Sequence, residues 1–142
     1  MHISAIRLMN EALRQLRQPE LTANPAFTRN AEVPWDSYLL NVPGAAPMRF
    51  DLGVDVNVWV GPCSEVLLLP SEWEELADLK SALISEIEID VGPRQKRVSI
   101  RFRNPQGEIW YSTTQHFLGR RGVDSELAVA GNFKAAFSVP PR

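Results

Sequence analysis

Val54-Asp55-Val56-Asn57-Val58-Trp59-Val60 alternates valine with a polar or aromatic residue along its whole length. Successive strand side chains point to opposite faces, so a period of two predicts a strand with one apolar face. Valine suits that role because its branched Cβ is stiff and packs well on a pleated surface. Gly61-Pro62 breaks the run as a turn does. Glu65–Leu69 resumes it as a short apolar strand, read as a hairpin partner.

The next signals are helical. Ser71 precedes Glu74 by three residues, the spacing of a capping box, in which hydroxyl and carboxylate satisfy each other's backbone N–H groups. Trp73, Leu76, Ala77, Leu79, Leu83 and Ile84 recur at helical spacing, so Ser71–Ser85 is expected to be a helix with one apolar stripe. Lys80 falls inside that stripe, its stem on the core and its amine in water. Glu86-Ile87-Glu88-Ile89-Asp90-Val91 then returns to a period of two, with acids on the outer side. Burying the helix stripe on the valine and isoleucine faces gives a two-layer core.

Working outward, Ile3, Ile6, Met9, Leu13 and Leu16 mark one side of an amphipathic helix over Ser4–Gln18, ended by Pro19. Glu20–Pro34 is polar and aperiodic and reads as a loop. Asp36–Val42 and Met48–Leu52 read as strands, with Gly53 as a bulge or kink. On the other side, Lys96–Arg103 alternates Val98, Ile100 and Phe102 with Arg97, Ser99, Arg101 and Arg103. A hairpin through Gly92–Gln95 sets these cations opposite Glu86, Glu88 and Asp90, a pairing that helps to fix register. Asn104–Gly107 is a second turn, and Glu108–Gln115 a further strand. The fold expected is α+β: an antiparallel sheet of five to seven strands, the Ser71–Ser85 helix on one face, and the N-terminal helix beside it. Residues 1–118 form the expected domain and 119–142 a C-terminal tail.

A chain of 142 residues fits one domain and needs no metal or disulfide staple. A net charge of −2, with both signs dispersed, gives no reason to expect a polyanion as partner. The single cysteine makes no internal disulfide, which points to a cytoplasmic protein. Neither a leader pattern nor an apolar run long enough for a membrane is seen.

Chemistry-bearing residues are sparse. Cys63 would need a base such as His116 to act as a nucleophile, and nothing in the spacing brings them together. No zinc-ligand spacing occurs, and no cofactor is implied. Asp51 and Asp55, if on one strand, lie too far apart to share a metal. Phosphate loops are absent. Arg94, Lys96, Arg97, Arg101 and Arg103, with Trp110 nearby, form the one dense basic cluster, but acids opposite them cancel much of the field a nucleic acid would feel. Trp59 shares its face with Asp55 and Asn57, opposite the valines. Trp110 shares its face with Ser112 and Thr114, opposite Ile109 and Tyr111. Simple alternation therefore puts both indoles on the outer side of the sheet, with the composition of an interaction hot spot.

The expectation is a non-enzymatic protein-binding domain, its contact residues Trp59, Trp110, Asp55 and Asn57. Small bacterial immunity proteins of toxin systems are similar in size and general make-up, so an immunity-type inhibitor is one form of that reading. A small enzyme using Cys63 and His116 and a nucleic-acid binder using Arg94–Arg103 are the alternatives. The partner is unidentified, and a homodimer is left open.

Overall fold

The computed structural model describes residues 4–61, 68–69, 74–93, 96–116 and 130–141. Helix α1 runs Ala5–Gln15, with the Ser4 hydroxyl accepting from the Arg7 N–H at its start. Met9, Ala12, Leu13 and Leu16 are buried, and Ile6 packs beside them. The helix ends before Pro19 is reached. Gln18 N–H donates to Leu13 C=O and Arg17 N–H to Arg14 C=O, a Schellman closure with Arg17 in the left-handed region at φ 56°.

Residues 20–34, expected as loop, hold a 3₁₀ turn at Leu21–Ala23 and a first strand, β1, at Phe27–Arg29. β2 (Ser37–Leu40), β3 (Met48–Leu52) and β4 (Val56–Val60) follow, and β5 (Leu68–Leu69) closes the group. All are antiparallel to their neighbours in the order β1-β2-β3-β4-β5. Leu52 pairs with Val56, so Gly53-Val54-Asp55 is a three-residue hairpin loop. Val54 is therefore 82% exposed, not the first of four inward valines. Val58 and Val60 do face the core.

Helix α2 spans Glu75–Leu83 and buries Leu79, Ala82 and Leu83. The capping box at Ser71 lies outside the described residues; Glu74 N–H donates to the Asp78 carboxylate. Lys80 reaches across to α1 and donates to Gln15 Oε1 at 3.2 Å.

β6 (Glu86–Val91), β7 (Arg97–Arg103), β8 (Ile109–His116) and β9 (Gly131–Phe133) form a second antiparallel sheet in the order β8-β7-β6-β9. The expected single sheet of five to seven strands is thus two antiparallel sheets, of five and four strands, within an α+β fold. A period of two identifies a strand but not its neighbour. α2 carries the chain away from the first sheet, and β6 then finds partners on both edges.

One buried cluster joins both helices and both sheets, with Phe27, Leu40, Phe50 and Val58 from the first sheet and Ile87, Ile89, Ile100 and Phe102 from the second. The chain beyond β9 seals it. Phe137 is buried, stacks on Phe27 at 6.2 Å, and donates its N–H to Leu83 C=O. A parallel bridge, Ala45 to Lys134, ties the β2–β3 connection to this segment, and Lys134 N–H donates to Gly44 C=O. Gly44 suits that approach: its φ is +85°, and a Cβ there would sit 3.3 Å from the Lys134 side chain.

Candidate functional site

The outer face of the first sheet carries two rows of side chains. Strand pairing sets Ser37, Asp51 and Asn57 side by side, and next to them Leu39, Arg49 and Trp59. Alternation dictates this, because each row takes residues two apart from its neighbour on the same strand. A polar row on an outer face would ordinarily be wet, yet Ser37 and Asp51 are buried. The β1–β2 connection covers them. Trp35, half exposed, donates its indole N–H to Asp51 Oδ2 at 3.0 Å. Ser37 donates to Oδ1 at 2.6 Å, and Asn30 Nδ2 donates to Ser37 Oγ.

Arg49 completes the cluster. Its Nε and Nη2 donate to the two Asp51 oxygens, each at 2.8 Å, a bidentate pair with both side chains largely shielded from water. Burial alone would raise the Asp51 pKa; hydrogen bonds from Arg49, Ser37 and Trp35 outweigh it and hold the carboxyl below its ordinary value. The guanidinium lies 4.5 Å from the centre of the Trp59 ring, within cation–π range. Arg49 is thus pinned between an anion and an indole, and Nη1 meets no acceptor among the described residues.

Beside Arg49 runs a groove of about 410 Å³, lined by Arg29, Asn30, Glu32, Leu39 and Asn41 among others. Arg29 Nη1 donates to the carbonyls of Asn30 and Ser37, and its charge has no carboxylate partner among the described residues. The outer face itself offers the Arg49 guanidinium, an indole and a half-buried leucine, a set suited to a peptide carbonyl or carboxylate with an apolar neighbour. Arg29, paired with Tyr38, has the opposite parity, and its guanidinium lies 6.0 Å from the Tyr38 ring centre.

The four residues expected to bind a partner do not converge. Trp59 and Asn57 share this outer face and are half-buried, and Asp55 stands exposed in the adjoining hairpin loop. Trp110 belongs to the other sheet, and its expected direction is corrected. Phe102 pairs with Tyr111 and Arg103 with Ile109, so Trp110 is the inserted residue of a β-bulge. The insertion reverses the parity of β8's first turn of alternation. Ile109 is sent outward at 47% exposure, while Trp110 packs edge-on to Phe102 at 5.5 Å and donates to Ser85 Oγ at 2.6 Å.

The chain matches no family model, no curated protein and no solved structure.

Of the alternative sites, Cys63 and Arg94 lie outside the described residues, and His116 is exposed at the end of β8, opposite Arg97. Arg101 and Arg103 both reach Glu88, at 2.6 and 3.3 Å, and Arg97 lies 3.8 Å from Asp90. Hydrogen bonding from Arg101 is the main reason the Glu88 carboxyl is held below its ordinary pKa. Among the described residues no three His, Cys, Asp or Glu side chains gather as metal ligands, and no helix is long and apolar enough to cross a membrane. Sequence reading missed Arg49, Asp51 as its partner, and Trp35. The i, i+2 spacing of Arg49 and Asp51 on a strand was the available signal.

Proposed function

We propose that this is a non-enzymatic protein-binding domain that holds its partner on the outer face of the five-stranded sheet. The observation that carries the reading is Arg49, fixed by Asp51 on one side and Trp59 on the other, with the groove beside it. Tryptophan and arginine dominate the energetics of protein interfaces, and side chains already locked in place lose little entropy on binding. Trp59 and Asn57 are contact residues in this proposal, Asp55 lies at the rim, and Arg49 supplies the charge. Trp110 takes no part at this face.

The test is capture from a lysate of the source cells, identification of the captured protein, and titration of the purified pair. Trp59→Ala is expected to weaken binding about thirty-fold, the ~2 kcal/mol of a hot-spot residue. Asn57→Arg, which alters the face without touching the core, is expected to weaken it too. Unchanged affinity in both variants would sink the proposal. In its narrower form the partner is a bacterial toxin held inactive; size and general make-up support that form, and a toxin encoded by the neighbouring gene is its direct test.

A further inference from the structure

Among the described residues β8 is an edge strand, and its composition sets it apart from the rest of its sheet. One side pairs with β7, and the other meets no strand among the described residues. In an antiparallel pair every second residue turns its N–H and C=O away from its partner. A bare row of that kind is a template for a further strand, which folded proteins ordinarily blunt with charges, proline or a bulge. Ile109–His116 contains no Asp, Glu, Lys, Arg or Pro. Its neighbours are dense in charge, with Glu86, Glu88 and Asp90 on β6 and Arg97, Arg101 and Arg103 on β7. The bulge at Trp110 blunts only the start of the strand. Beyond it, Ser112–His116 run in unbroken register against Arg101–Arg97, and no described residue outside the sheet hydrogen-bonds to their backbone.

We propose that Ser112–His116 pairs antiparallel with the same segment of a second copy of this chain, joining two four-stranded sheets into one across a two-fold axis. The chemistry of the segment is self-complementary. Centred on Thr114, the pairing sets Thr114 against its own copy, Thr113 against the second copy's Gln115 and Ser112 against its His116. A cross-strand Thr–Thr pair is favourable, whereas like charges directly opposite are destabilising. An isologous contact brings every residue close to a copied residue of the same strand, so a strand without lysine, arginine or carboxylate is the kind that tolerates it. The flanking arginines are already matched: Arg101 and Arg103 with Glu88, Arg97 with Asp90. The strand pairing itself uses no residue of the five-stranded sheet, and its test reads oligomeric state rather than partner capture, so this inference and the proposed function stand or fall separately.

Sedimentation equilibrium of the whole chain tests it. The mass is expected to rise with concentration from 16.0 kDa toward twice that value. The variants Ser112→Lys/Thr114→Lys and Ser112→Glu/Thr114→Glu are each expected to stay monomeric, and an equimolar mixture to regain the dimer. Should a double variant fail to fold by circular dichroism, Ser112→Lys alone, at an exposed hydroxyl, is expected to weaken association at least ten-fold. Hydrogen exchange read on the wild type is expected to show Ser112–His116 gaining protection as concentration rises. A wild type that is monomeric throughout, a dimer that survives the charged substitutions, a mixture that stays monomeric, or protection gained elsewhere but not at Ser112–His116 would each overturn it.

Discussion

Asp51 and Arg49 show what a single position can demand of its surroundings. A shielded ion pair is weak grounds for stability by itself, but removing one partner leaves the other charged and poorly solvated. Arg49→Ala is therefore expected to cost about 3 kcal/mol in urea unfolding, more than surface substitutions do. Asp51 also makes that cost depend on pH. Its folded pKa lies below its unfolded one, so its contribution is complete above the unfolded value and is lost as pH falls through the folded value. The stability gap between wild type and Asp51→Asn is expected to be widest near neutrality and to narrow below about pH 4. A gap that is flat from neutrality to acid would contradict this assignment. Arg17 makes the opposite case. It occupies the left-handed position of a Schellman closure, where a side chain is strained and glycine is not. Arg17→Gly is expected to raise stability by about 0.5–1 kcal/mol, net of the extra freedom glycine has when unfolded.

Elements differ in how far their residues announce them. α1 has room for three turns of a periodic pattern, and of the positions that pattern marks Met9, Leu13 and Leu16 are buried and Ile6 partly so. Leu13, fully buried on that stripe, is a fitting probe: Leu13→Ala is expected to cost about 3 kcal/mol, read as a fall in thermal midpoint. The β6–β7 hairpin was equally legible, because acids facing arginines admit one register, and Glu88 does pair with Arg101. β1 and β9, at three residues each, are too short to display a period. The bulge at Trp110 was hidden for a different reason. One inserted residue inverts every inference from alternation on one side of it, and nothing in Ile109-Trp110-Tyr111 marks the insertion. The candidate site was half visible: Trp59 and Asn57 follow from parity, but Trp35 reaches Asp51 from a connection without any period. Trp110→Ala is accordingly expected to lower stability by about 2–3 kcal/mol, through lost packing on Phe102 and a Ser85 hydroxyl left without its donor.

The whole molecule is closed by segments distant in sequence. β9 pairs with β6, Lys134 bridges to the β2–β3 connection, and Phe137 stacks on Phe27. A chain cut after residue 118 would lose all three at once. It is expected to lack a cooperative unfolding transition, and Phe137→Ala in the whole chain to lose about 3 kcal/mol. A truncated chain that melts like wild type would show that residues 131–137 merely decorate the fold. Their role has a bearing on synthesis. Forty-two residues separate Val91 from Phe133, so a ribosome working at about 5–20 residues per second leaves the free edge of β6 uncovered for about 2–8 s. Through that interval the nascent chain presents an unpaired strand beside half-assembled apolar surface, and slow codons placed there would lengthen its exposure to chaperones and to neighbouring chains.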